Sequence, residues 1–187
     1  ATGKSKVTCI VKDNVMEGCR LFRDVFYEIG EEYPEIEKEK SIIDAFTQWL
    51  IKGPEFYDTL VTTNLFGDII TDLASVLQGG MGLAVGCNVG DQHAMFEPIH
   101  GSAPKYSGKD RANPLAMVLA LKEGLDWLGG REGDADMVKA AGLIDRAVRD
   151  QLIAGEIVTA DIVGDEKASG TSAVGDETVR RIIELAG

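Results

Sequence analysis

Basic residues are scarce in this chain. Its 187 residues hold 19 Lys and Arg against 31 Asp and Glu, a formal net charge of −12 at pH 7. Such acidity speaks against nucleic acid or a membrane surface as partner, because both are polyanions that bind an excess of Lys and Arg. Cysteine is scarcer still. The 3 cysteines, Cys9, Cys19 and Cys87, are odd in number and form no Cys-x-x-Cys pair. That excludes a disulfide framework and fits a reducing compartment. They read as small buried hydrophobes. Long apolar runs are missing as well. The longest uncharged stretch, residues 73–90, is broken by Gly79, Gly80, Gly82, Gly86 and Gly90 and by Gln78 and Asn88. A membrane helix needs ~20 predominantly apolar residues. Residues 1–6 lack the apolar core of a signal peptide. The expected location is the cytoplasm, with the mitochondrial matrix as the alternative.

What is present suits a folded α/β protein. The apolar fraction of 44% is near the globular norm and is enough for a core. Residues 6–11 are β-rich and read as a strand. Val15, Cys19, Phe22, Phe26 and Ile29 recur at helical spacing through residues 15–33, and Pro34 closes that helix. Residues 36–43 read as a strand. Residues 44–51 read as a helix opened by Asp44 as N-cap and ended by Gly53-Pro54. Residues 57–63 are a strand and 64–78 a helix. Short strands are expected at 84–88 and 93–96. Asn113-Pro114 starts a helix that stops at Gly129-Gly130. A further helix spans 135–153, and Asp176 caps the last. Strands alternating with helices indicate α/β layering.

Asp68 and Asp72 lie one helical turn apart, so both carboxylates project from one face. The stripe Ile69, Leu73, Val76 and Leu77 is what a core would take. Two like charges at that spacing repel, and a divalent cation between them reverses the penalty. Mg²⁺ and Mn²⁺ favour such oxygen donors. The alternative is a solvated acidic helix start. Residues 97–106, Glu-Pro-Ile-His-Gly-Ser-Ala-Pro-Lys-Tyr, form a stiff loop with exposed backbone, of the sort that cradles a nucleotide. His100 can stack on a base, and Lys105 and Tyr106 can hold a phosphate. The alternative is an ordinary surface loop. Gly79-Gly80-Met81-Gly82 is neither a P-loop nor a dinucleotide fingerprint; tight packing or a hinge fits better. Lys12, at the end of the first strand, is suited to proton transfer if desolvated; otherwise it is a solvated charge.

Taken in order, these segments resemble the β-decarboxylating dehydrogenases: isocitrate, isopropylmalate and homoisocitrate dehydrogenases. Thr63-Asn64-Leu65-Phe66-Gly67-Asp68 through Asp72, followed by Gly79 to Gly82, resembles the family's metal-binding signature. Asn88 to Asp91, Phe96 to Pro104 and Ala112-Asn113-Pro114 resemble its adenosine-binding loop. The resemblance implies an isocitrate/isopropylmalate dehydrogenase-like layered sheet with helices, present here as the C-terminal half. Residues 1–80 are then part of the small, dimer-forming domain, and 81–187 part of the large domain. The metal ligands it implies are Asp44, Asp68 and Asp72, with Asp44 supplied across a dimer interface. Lys12 and Asp44 would act catalytically, Lys12 in proton transfer and also from the partner subunit. Glu97, His100, Gly101, Ser102, Ala103, Pro104, Lys105, Tyr106 and Asn113 would hold the cofactor.

The implied reaction is metal-dependent oxidative decarboxylation of a 2-hydroxy acid with Mg²⁺ or Mn²⁺ and NADP, NAD being the alternative. Lys105-Tyr106 resembles the NADP pattern, while Ala160 and Gly164 stand where that pattern carries a Tyr and an Arg. Ile43-Asp44-Ala45-Phe46-Thr47-Gln48 leans toward isocitrate among the tricarboxylate and dicarboxylate substrates. The substrate-binding serine and arginines of the family's first half have no counterpart here, and Arg20 and Arg23 do not match them. A homodimer, or a second chain bringing that half, is the expected partner. The rival reading is a non-catalytic regulatory or assembly subunit of the same fold.

Overall fold

The computed structural model describes residues 5–187 and divides into two compact units, Ala1–Leu77 and Gln78–Gly187. Residues 1–4, read above for a targeting signal, lie outside the described residues. The sequence reading put the boundary after residue 80.

Unit 1 is a parallel sheet of three strands, β1 (Lys6–Val11), β2 (Glu37–Ile42) and β3 (Thr59–Thr62), in the order β2-β1-β3. Val7 faces Lys38 on one side and Thr59 on the other. Each strand is followed by a helix: α1 (Glu17–Gly30), α2 (Ile43–Lys52) and α3 (Asn64–Ser75). Parallel strands need such crossovers. The central strand β1 is buried on both faces, which is why it is apolar and β-branched. Alternation sends Ile10 to a core with Phe46, Leu50 and Ile70, and Cys9 and Val11 to a core with Cys19.

Unit 2 pairs a hairpin, β4 (Val85–Val89) with β5 (Ala94–Pro98), and packs it on helices. α4 (Leu115–Glu132) and α5 (Ala135–Ala154) lie side by side, followed by the short α6 (Ala160–Val163) and α7 (Thr171–Ala186). Leu115, Ile144, Val148 and Val174 make the core. Gln151 is buried within it. Its amide donates to the carbonyls of Ile157 and Val174, and its oxygen accepts from Thr178 Oγ1 at 2.7 Å. No described helix is long and apolar enough to cross a membrane.

Several local expectations are corrected. α4 does not stop at Gly129-Gly130; it runs to Glu132 and ends on Gly133, at φ 70°. Gly129 instead admits α5, for a Cβ there would stand 2.9 Å from Met137 and Val138 side chains. α4 begins one residue later than Asn113-Pro114 implies, yet Asn113 still caps it: Leu115 N donates to Asn113 Oδ1 at 2.9 Å. Asp176 lies inside α7, whose N-cap is Gly170. Asp44 is not an N-cap either; it occupies the first turn of α2. Cys87 is exposed, whereas Cys9 and Cys19 are buried. The α3 stripe is split. Leu73 packs against the core beside Ile70, as expected, while Ile69, Val76 and Leu77 are exposed, as is Leu65.

Candidate active-site groups

The parallel register sets the geometry of unit 1. Val11 pairs with Ile42, and Ile10 with Thr62, so the three strands end on one edge. The chain then presents Lys12 after β1, Asp44 in the first turn after β2, and Asp68 and Asp72 on the helix after β3. The carboxyl edge of a parallel sheet is where open α/β folds place their ligands.

Lys12 Nζ donates to Asp44 Oδ1 at 2.7 Å. The lysine is the more buried partner, its side chain 25% exposed against 67% for the aspartate. The hydrogen bond from Lys12 holds the Asp44 carboxyl below the usual carboxylate range. Next to Lys12, Asp13 is buried. Its Oδ2 accepts from Arg23 Nη1 at 2.8 Å and Lys40 Nζ at 2.9 Å, and its Oδ1 has no partner among the described residues. Arg20 Nε also donates to the Asp13 carbonyl at 2.8 Å. Hydrogen bonds from Lys40 and then Arg23 hold this carboxyl below its ordinary value. The turn after β1 is thereby anchored from α1 and β2.

Asp68 and Asp72 are both exposed. Asp68 Oδ2 lies 3.5 Å from the Asn64 amide. Among the described residues neither carboxylate is paired with a Lys or Arg, which leaves two hard oxygen donors one helical turn apart. That donor set fits Mg²⁺ or Mn²⁺. No group of three His, Cys, Asp or Glu that could hold a metal forms among the described residues. A single chain therefore does not bring Asp44 together with the other two.

Unit 2 encloses a cavity of about 780 Å³ walled by residues 79–82, 100–103, 105–107 and 111–113, and by Ala160, Asp161 and Asp165. Of the residues expected to hold a cofactor, His100, Gly101, Ser102, Ala103, Lys105, Tyr106 and Asn113 line it. Glu97, on β5, and Pro104, opening a 3₁₀ turn, do not. Ala103 takes a left-handed conformation, φ 42°, to turn the loop into that 3₁₀ segment. His100 Nδ1 lies 3.0 Å from the Gly101 carbonyl.

The sequence did not reveal Asp161 or Asp165. Asp161 Oδ2 accepts from Asn113 Nδ2 at 2.9 Å, and its Oδ1 accepts from Thr159 Oγ1 at 2.5 Å. Gly82 makes room for this cluster: a Cβ there would stand 2.6 Å from Asp161 Oδ2 and 2.9 Å from Asn113. The glycine turn is thus a cavity wall, and tight packing is part of its role. Thr159 preceding a helix was the available signal for Asp161, but its partner lies far away in sequence.

The family profile for isocitrate/isopropylmalate dehydrogenases matches residues 1–178. The homoisocitrate dehydrogenase of Methanocaldococcus jannaschii is 45% identical over 183 residues, 96% of this chain and 48% of that protein. The 3-isopropylmalate/3-methylmalate dehydrogenase of the same organism is 40% identical over 97% of this chain and 51% of its own length. The crystal structure of isocitrate dehydrogenase from Methylococcus capsulatus superposes with a TM-score of 0.87 at 41% identity, covering 95% of this chain and 50% of that one. The chain belongs to the isocitrate/isopropylmalate dehydrogenase family, the β-decarboxylating dehydrogenases. It spans about half the length of the relatives it matches.

Proposed function

We propose that this chain is the C-terminal half of a metal- and NAD(P)-dependent dehydrogenase that oxidises and decarboxylates a 2-hydroxy acid, isocitrate before isopropylmalate or homoisocitrate. The observation that carries the reading is the alignment of Lys12, Asp44, Asp68 and Asp72 along the carboxyl edge of one parallel sheet. Relatives of 40–45% identity carry different substrate names, so the preference for isocitrate rests on residues 43–48 and on Lys105-Tyr106.

In the reaction the carbinol carbon loses a hydride and its hydroxyl a proton, giving a ketone. The carboxylate on the neighbouring carbon, β to that ketone, then leaves as carbon dioxide, and its bonding electron pair passes into the carbonyl as an enolate until that carbon takes a proton. Asp68 and Asp72 would hold the divalent ion, completed by Asp44 of a second chain; when bound, such an ion supplies Lewis-acid polarisation of the substrate oxygen. The dinucleotide supplies the hydride acceptor, and the unit 2 cavity would hold its adenosine. Lys12 does the proton work. Its ammonium is half-buried, tethered by Asp44 and fixed through the Asp13 anchor, so it meets the substrate in one place. The exposed apolar stripe of α3 beside Asp68 and Asp72 gives a second chain a surface on which to dock. With its free, mostly buried cysteines, the protein is assigned to the cytoplasm.

Two measurements test this. Calorimetric titration of the chain with Mn²⁺ and with NADP should show cofactor binding by the chain alone, and metal binding once the other half is supplied. Silence from both ligands in both settings would overturn the catalytic reading. Turnover of the three acids by the combined halves should favour isocitrate; no activity on isocitrate would remove that substrate.

A further inference from the structure

Lys12 is held at its tip and at its root, and the two holds differ in kind. At the tip, Nζ donates to Asp44 Oδ1 at 2.7 Å. That carboxylate is mostly exposed, and an exposed ion pair restrains its members weakly. On the reading above, Asp44 also serves a divalent ion, so its grip on Lys12 is shared. The lysine side chain between tip and root is a flexible four-carbon stem. Where the ammonium can reach therefore depends on where the backbone of residue 12 stands.

β1 ends at Val11, so strand pairing no longer fixes the chain at that point. Asp13 takes over. Its side chain is 4% exposed, a rare degree of burial for a carboxylate. Oδ2 accepts from Arg23 Nη1, on α1, at 2.8 Å and from Lys40 Nζ, on β2, at 2.9 Å. The Asp13 carbonyl accepts from Arg20 Nε at 2.8 Å. The Lys12 carbonyl accepts from Val15 N at 3.2 Å and Met16 N at 3.0 Å, in the turn that leads into α1. The clamping side chains are themselves fixed. Arg20 Nη1 donates to Glu17 at 2.5 Å, and Arg23 Nε and Nη2 donate to Asp24 at 2.9 and 2.6 Å. Residue 13 is thereby tied to the helix on one side and to the neighbouring strand on the other.

Two cations converge on this one carboxylate. Charge-assisted hydrogen bonds are the stronger kind, and here two of them meet at a single buried oxygen. Oδ1 has no partner among the described residues, so the side chain holds through Oδ2 alone. Without Asp13, the partly exposed Arg23 and Lys40 would lose their shared counter-charge and repel one another. Both ties would go at once, and the residue next to Lys12 would be free to shift. A misplacement of about 1 Å can cost roughly a hundredfold in rate.

We propose, on the reading of Lys12 as the group that carries the proton, that Asp13 is a positioning residue: with Arg23, Lys40 and Arg20 it fixes the turn from which Lys12 reaches the substrate. Asp13→Ala and Asp13→Asn are made in the protein carrying both halves, each alone and together with Lys12→Met. kcat and KM are measured for the acid that the parent turns over, and folding is followed by urea denaturation. Asp13→Ala should lower kcat by about tenfold to a hundredfold, with KM for the acid and affinity for adenosine nucleotides unchanged. Asp13→Asn keeps an acceptor oxygen and should retain more turnover than the alanine variant. In the Lys12→Met background neither variant should slow turnover further, because residues that act as a unit are not additive. A merely structural loss would multiply with that of Lys12→Met. Parental kcat in both Asp13 variants overturns the proposal, as do a loss confined to KM, losses that multiply, and absence of a folded state in both. Each of these leaves Lys12 its role. Turnover by Lys12→Met equal to the parent's, or a parent that turns over none of the three acids, removes the reading of the site and the proposal with it.

Discussion

Unit 2 walls its cavity with its own residues. Asn113, Asp161 and Thr159 bond to one another, Gly82 fits against them, and the loop before α4 is clamped by α7. Unit 1 is built the other way. Its acidic groups stand on an open edge, Asp68 and Asp72 face solvent, and Asp44 is tied to Lys12 rather than to them. One region has a cavity walled by its own residues; the other, on the proposed reading, holds parts of a site that a second chain would complete. The consequence is experimental. On the proposed reading, nucleotide binding is expected of this chain alone, and metal binding and turnover only of the assembly.

The sharpest way to break that contrast is at Lys12. Lys12→Met, measured in the protein carrying both halves, should lower turnover by roughly 10²–10⁴, the range for removal of a general acid–base. Affinity of the chain for adenosine nucleotides should not change. Equal turnover by variant and parent would remove Lys12 from the chemistry. Next in size is Asp68→Asn. Removing one of two charged oxygen donors should weaken Mn²⁺ binding by about tenfold or more, again without effect on nucleotide affinity. Unchanged Mn²⁺ affinity, read by calorimetry on the assembled protein, would contradict the ligand assignment.

How much of this was legible in the sequence follows the same division. The elements of unit 1 could be read because each signal was local: β-branched residues in β1, the apolar period of α1, Gly53-Pro54 as a stop; α1 itself ends at Gly30, ahead of the Pro34 read as its end. The loop of residues 100–106 was legible for its unusual chemistry. What escaped was set by distant partners. Asn113 and Asp161 are 48 residues apart, and no local pattern joins them. Gly129 looked like a helix end because glycine usually is one; only the close approach of α5 shows that it serves packing. Ile69, Val76 and Leu77 looked like core because apolar spacing identifies a face but not what covers it.

Buried carboxylates give a comparison of the units under acid. In unit 2, Glu177 accepts from Arg180 at 2.6 and 2.7 Å and from Arg181 at 2.6 Å. The hydrogen bonds from Arg180 lead in lowering its pKa from 4.5 to about 2. A depressed carboxylate stabilises the fold above its unfolded value, and that contribution is lost as pH falls through the folded one. Glu177→Gln should therefore cost about 1–2 kcal/mol at neutral pH, with allowance for solvent around Arg180. The difference from the parent should shrink as pH drops from 4.5 toward 2. Asp13 in unit 1 is shifted in the same direction by Lys40 and Arg23. Urea denaturation at several pH values reads both. A Glu177→Gln deficit that persists undiminished at the acid end would show that packing, not charge, is what the glutamate supplies.

The smallest effect concerns helix starts. In unit 2, α5 is capped by Asp134, whose Oδ1 accepts from Asp136 N at 2.9 Å and Met137 N at 3.1 Å. In unit 1, α1, α2 and α3 all begin just beyond the carboxyl edge of the sheet, and none receives a side-chain cap. Met16 holds the N-cap position of α1 in an extended conformation and is 48% exposed. A hydroxyl there can reach the first-turn amides that methionine leaves to water. Met16→Ser should stabilise the chain by about 0.5–1 kcal/mol, measured as a rise in the urea midpoint at constant m. Such a gain would mean that unit 1 forgoes stability at the very edge where its functional side chains gather, as expected of an edge kept open for a ligand or a second chain. No gain, or a loss, would mean that the first turn of α1 is already satisfied, and the contrast between the units would then be confined to their carboxylates.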